Sequence, residues 1–122
     1  MSNQKQFGVW MDTHDATIVS KDKETLTVSV LAAVTGEKKS PDPSEKTEHN
    51  NKKAMHLKFF KEIATHLVNA GHVHITGTGQ AQEQFMHYLA GTPQFKNTRT
   101  DESTSNKMSD DKLVEFMTAK LN

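Results

Sequence analysis

The sequence predicts a three-layer α/β/α sandwich built on one mixed sheet. Three observations lead there. Three strand-like segments open the chain in close succession, as a meander of antiparallel strands does. Later segments run helix, strand, helix, strand, helix, and a strand–helix–strand passage lays its two strands parallel. Each later helical stretch has an apolar stripe on one side, so helices must pack on the sheet.

Taken in order, Phe7-Gly-Val-Trp-Met-Asp12 is apolar on both pleat faces, with Phe7, Val9 and Met11 on one side and Trp10 on the other. Thr13-His14-Asp15 is a short polar break, and Ala16-Thr-Ile-Val19 resumes strand character. Lys21 to Glu24 is a second turn. Leu26, Val28 and Val30 then alternate with Thr25, Thr27 and Ser29, a half-buried third strand running toward Val34. Thr35 to Lys53 carries two prolines, nine charged residues and no apolar one, so burial cannot offset its ordering entropy and a flexible loop is expected.

Met55, Phe59, Phe60, Ile63, Leu67 and Val68 recur at helical spacing, with Lys58, Lys61, Glu62 and Asn69 opposite and Gly71 as the helix stop. His72 to Thr76 is the fourth strand. Gly77-Thr-Gly79 turns into a helix bearing Ala81, Phe85, Tyr88 and Leu89. Phe95 to Thr100 is expected as a short fifth strand and Asp101 to Lys107 as a polar loop. Ser109 is an N-cap with Asp110 and Asp111 in the first turn, where the helix dipole favours negative charge. Leu113, Phe116, Met117 and Leu121 form the last stripe.

The 122 residues suit one domain, read as 1–122 with its loop at 35–53. Without cysteine there is no disulfide frame, thiolate zinc site or cysteine nucleophile. The opening MSNQKQFG lacks the apolar run of a signal peptide, and no stretch approaches the ~18 residues of a membrane span, so a cytoplasmic protein without membrane partner is expected. Fifteen Lys+Arg balance fifteen Asp+Glu, which argues against a generic polyanion binder. Arg99 is the single arginine, and bidentate base reading favours arginine, so sequence-specific DNA is not an expected partner.

Candidate chemistry is sparse. Ile75-Thr-Gly-Thr-Gly-Gln-Ala81 is a strand, a glycine turn and a helix start, whose backbone N–H groups at Gly77, Thr78, Gly79 and Gln80 could hold an anion. The full dinucleotide glycine pattern and the nucleotide P-loop are both missing, and the glycines are read first as tightening the turn. His72 and His74 share one strand face at a known metal-ligand spacing, with His66 or His14 as a third ligand, but no carboxylate completes a set. The simpler expectation is a strand-end histidine and a hydrogen-bonded one beneath a helix. Asp12 and Asp15 flank the first turn and are read as turn formers rather than Mg²⁺ ligands of a nuclease. Ser20 and Ser29 lack the setting of a nucleophile elbow. No metal and no cofactor is expected.

Three motifs carry a resemblance. Gly8-Val-Trp-Met-Asp12 followed by Asp15-Ala-Thr-Ile-Val19 is similar to the opening "VWIDH..A.I" of small bacterial translation-machinery-associated proteins. These resemble the third domain of peptide release factor 1 and of the ribosome-rescue factor Pelota. That family's "GPGEAK" corresponds to Gly77-Thr-Gly-Gln-Ala-Gln82, with Thr78, Gln80 and Gln82 in place of its Pro, Glu and Lys. Its "MTDNQ" corresponds to Met108-Ser-Asp-Asp-Lys112. The resemblance spans nearly the whole chain outside Thr35 to Lys53. It implies an L7Ae/L30e-like fold and a domain that docks translational GTPases without chemistry; the peptide-releasing Gly-Gly-Gln belongs to another domain and is absent here.

The expected function is therefore a non-enzymatic binding module of the translation machinery, with the ribosome, ribosomal RNA or a translation factor as partner. Lys52, Lys53, Lys58 and Lys61 are its candidate contact, with few nearby acids to offset them. Two alternatives stay open: a small metal-dependent hydrolase or nuclease using Asp12, His14, His72 and His74, and a protein-only interaction module.

Overall fold

Apolar side chains on both faces of one strand dictate a sheet covered on both sides, and β1 (Lys5–Met11) is that strand. The structure, a computed structural model, describes residues 5–12, 14–35 and 48–121, and of 48–56 only the backbone. β2 (Asp15–Lys21) pairs antiparallel with β1, and β3 (Val28–Thr35) pairs antiparallel with β2. β4 (Ala70–Gly77) lies parallel to β1 on its other side, and β5 (Arg99–Thr104) lies parallel to β4. The sheet is mixed, in the order β3-β2-β1-β4-β5.

Phe7, Val9 and Met11 pack against Phe59, Phe60 and Ile63 of α1 (Glu48–Thr65) and Phe85 and Leu89 of α2 (Gln80–Ala90). Phe60 joins the two helices, its ring centroid 5.4 Å from that of Phe85 and 5.7 Å from that of Tyr88, a separation at which tilted rings attract. On the opposite face Trp10, Val19 and Val28 pack under Leu113, Met117 and Leu121 at α3 (Asp110–Lys120). Gly8 lets α3 approach: a Cβ there would lie 2.5 Å from the Met117 sulfur. Ser109 caps α3, its hydroxyl accepting from the Lys112 N–H at 3.3 Å. Three layers follow, α1 and α2, then the sheet, then α3. No helix among the described residues is long and apolar enough to cross a membrane.

Several expectations shift. Leu26 is not part of a strand: it sits at φ 59° in the β2–β3 turn and is 63% exposed. Within β3 the pairing partner jumps from Val30 opposite Val19 to Ala32 opposite Ile18, which leaves Leu31 as a bulge residue. That extra residue reverses the alternation, so Val28 packs toward α3 while Val34 joins the α1–α2 side. Val30, before the bulge and on the same face as Val28, stays exposed. Residues 36–47 of the expected loop lie outside the described residues, and the backbone of Glu48 to Lys53 already belongs to α1.

The first helix ends at Thr65, before Val68, which is exposed; Asn69, at φ 58°, turns the chain. Gly71 is not a helix stop but the residue left over where β1 and β4 shift register, between Ala70 opposite Lys5 and His72 opposite Gln6. The fifth strand is displaced. Phe95 lies in a short 3₁₀ turn (Pro93–Phe95), and β5 occupies much of the segment expected as a polar loop. Its polar side chains find partners on β4, so it needs no apolar face of its own.

Candidate functional site

Two-residue periodicity sends His72, His74 and Thr76 of β4 to the α3 face, all three buried. Each reaches diagonally to β5. His72 Nε2 lies 2.5 Å from Asp101 Oδ2, His74 Nε2 lies 2.8 Å from Ser103 Oγ, and Thr76 Oγ1 lies 2.7 Å from the hydroxyl of Ser105 just beyond the strand. Ser103 also donates to Thr76 Oγ1 at 2.9 Å, which joins the last two rungs. The result is a polar ladder across β4 and β5. α3 touches it only at the edge, where the Phe116 ring centroid stands 6.0 Å from that of His74 and carries Lys120 Nζ 5.5 Å above it.

The ladder is electrostatically tuned. Burial alone would raise the Asp101 carboxyl, but the His72 hydrogen bond and charge, with Arg99 and His74 adding, outweigh it and hold the group below the ordinary carboxylate value. Burial pushes the His74 imidazole below its ordinary value, helped by Lys120 and His72 and opposed by Asp101. The bond to Ser103 takes one ring nitrogen of His74 and the bond to Asp101 takes one of His72.

His66 lines a cleft on the α1 side of the sheet, the opposite face, and His14 stands exposed in the β1–β2 turn, so neither completes a set with this pair. Among the described residues no group of three or more histidine and carboxylate side chains converges. Asp12 is a turn former: its Oδ1 accepts from the backbone N–H of His14 at 2.8 Å and of Asp15 at 2.6 Å. Trp10 Nε1, beside this ladder on β1, is the one buried side-chain polar atom among the described residues without a hydrogen-bond partner.

The glycine turn ends β4 for steric reasons. A Cβ on Gly77 would land on the Met11 carbonyl oxygen, and Gly79 sits at φ 131°, a conformation side-chain-bearing residues avoid. The turn is then fastened from within. Gln82, buried at 2% exposure, accepts from the Gly79 N–H at 3.1 Å and donates to the Ser103 carbonyl at 2.5 Å. Of the proposed anion-holding group at Gly77, Thr78, Gly79 and Gln80, the Gly79 N–H is therefore already engaged by a side chain. Sequence reasoning missed Gln82; the signal was a glutamine three residues beyond the glycine cap, the spacing of a capping box.

Lys58 and Lys61 are exposed on α1 beside exposed Glu62, and Lys52 and Lys53 share that helix, their side chains outside the described ones. A group of mixed charge had no sequence signal, because Lys5, the Lys21–Glu24 turn and His66 are far apart in the chain. Lys5, Lys21, Asp22, Lys23, Glu24 and His66 line an open cleft of about 850 Å³ at the end of the sheet where β1 starts. The Lys21 ammonium itself lies toward the α3 face and donates to the Leu121 carbonyl at 2.5 Å, closing the C-terminal end of α3.

No protein-family model matches the sequence, and no curated protein matches it. Solved structures do. The Pelota protein of Thermoplasma acidophilum matches with a TM-score of 0.61 at 18% identity, over 96% of this chain and 33% of its own. The archaeal translation termination factor aRF1 matches at 0.57 and 16%, over 95% and 34%. Archaeoglobus fulgidus Pelota matches at 0.55 and 14%, over 98% and 35%. The chain spans about a third of the length of each. The resemblance read from three short motifs thus holds in three dimensions, and the chain has the fold of that third of Pelota and aRF1.

Proposed function

We propose that this chain is a binding module of the translation machinery that performs no chemistry itself and contacts the ribosome, ribosomal RNA or a translation factor. The observation that carries the reading is the match of nearly the whole chain to one segment of two kinds of protein, Pelota and a translation termination factor. The resemblance further implies the L7Ae/L30e-like docking domain, and fold analogy of this kind supplies a direction rather than a mechanism. The residues on which a hydrolase would rest support the reading, since Asp12, His72 and His74 are each drawn into local hydrogen bonds rather than aimed together at a cleft.

In this reading Lys52, Lys53, Lys58 and Lys61 meet phosphate as point charges along α1. With so few contacts, binding is moderate and weakens with salt at a shallow slope. Cosedimentation with ribosomes at low and high salt tests it, comparing wild type with the four lysines changed to Glu. Wild type that stays in the supernatant at low salt sinks the ribosome as partner. A variant that pellets as well as wild type leaves the ribosome standing and removes α1 as the contact.

A further inference from the structure

The two edges of the sheet are built differently. β5 carries Arg99, Asp101 and Glu102, charges that deter another strand from adding to an exposed edge. β3, at the other edge, reads VSVLAAVT, eight residues without a charge or a proline. Five large apolar residues are exposed among the described ones, and three of them, Leu26, Val30 and Leu31, lie on β3 or the turn entering it. A fourth, Val68, lines the same cleft as Leu31.

The bulge divides these exposures between the two faces. Val30, opposite Val19, is on the α3 side and 41% exposed; Leu31, beside Phe7 and Val68, is on the α1 side and 48% exposed. A helix or small ligand would cover one of them. A strand added in the plane of the sheet brings side chains to both faces at once and supplies the backbone groups that an edge leaves open. An uncharged strand can also be set antiparallel against itself without opposing like charges, and a two-fold axis then buries the same patch on both partners.

We propose that β3 pairs antiparallel with β3 of a second copy of this chain, giving a continuous sheet of ten strands with both α3 helices on one side. The proposal does not depend on the translation reading. A single-strand interface is small, so association is reversible and follows concentration.

Sedimentation equilibrium over a concentration series tests this, with wild type beside the double variant Val30→Lys, Leu31→Lys. Both sites are exposed, and each copy would bring its lysines to the shared edge. The expected result is a wild-type monomer–dimer equilibrium that the variant weakens by about tenfold or more. Wild type that stays monomeric up to about 1 mM overturns the proposal, as does a dimer whose affinity the variant leaves unchanged. Hydrogen exchange on wild type reads the same edge without a variant: amides of Val28–Thr35 gain protection as concentration rises and those of Arg99–Thr104 do not. Outward amides of β3, those not bonded to β2, whose protection does not rise with concentration would overturn it too.

Discussion

Replacing Gln82 by Leu keeps the volume of a fully buried side chain and removes both of its functions. The Gly79 N–H loses its acceptor at 3.1 Å and the Ser103 carbonyl loses its donor at 2.5 Å; the further contact to Thr104 Oγ1, at 3.4 Å and near solvent, adds little. A hydrogen bond contributes about 1 kcal/mol net, and a group left dry and without a partner costs about 1–3 kcal/mol. Gly79 is half-buried and water can replace part of its loss, so the sum is about 2–3 kcal/mol. For a chain of this length that corresponds to a fall in Tm of roughly 10 °C. Urea unfolding of Gln82→Leu beside wild type measures it, with an unchanged denaturant slope expected because the same surface unfolds. Hydrogen exchange adds a local readout, since the Gly79 and β5 amides should open before those of β1. A loss below about 0.5 kcal/mol, within the range of surface substitutions, would refute the view that this side chain ties the glycine turn to β5.

Other consequences follow from the same geometry. With its pKa depressed by burial, folded His74 holds fewer protons than the unfolded chain, so its contribution is complete above about pH 6.5 and is lost as pH falls through the folded value. Asp101, also held low, loses its contribution further down, below about pH 4. Thermal melts from pH 7.5 to 5 should decline, and His74→Gln should flatten that decline; an equal slope in the variant assigns it elsewhere. Gly77→Ala forces a methyl onto the Met11 carbonyl and should destabilise by about 3 kcal/mol or more. Gly8→Ala meets side chains instead, the bendable Met117 and a methyl of Val19, and should cost about 1–3 kcal/mol in the same urea assay; equal losses would show the backbone at Gly77 yields freely. Ser109→Ala removes the α3 cap and should cost about 1 kcal/mol, seen as a lowered urea midpoint.

What could be read in the sequence was whatever burial writes as a pattern. β1 announced itself because both its faces are apolar, and α3 because a cap, two acids and a stripe agree. β3 misled because of its expected stripe only Val28 is buried: Leu26 lies in the turn and Val30 is exposed, and after them one bulge residue, Leu31, flips the faces with no local preference to mark it. β5 was hidden for a different reason. Its inward side chains are polar because those of β4 are polar, and an alternation scan looks for apolar against polar. The signal was there in another form: His72, His74 and Thr76 recur at every second position, and so do Asp101, Ser103 and Ser105. Two polar series of equal period are what adjacent strands need when the helix above them covers only the other half of the face. On that half, under Leu113, Met117 and Leu121, the strands present Trp10, Val19 and Val28. Beyond it, the ladder keeps its buried donors and acceptors partnered without a helix, and the charges of β5 close that side of the sheet to further strands. The opposite edge, β3, carries neither device, and its side chains are the uncharged ones of VSVLAAVT.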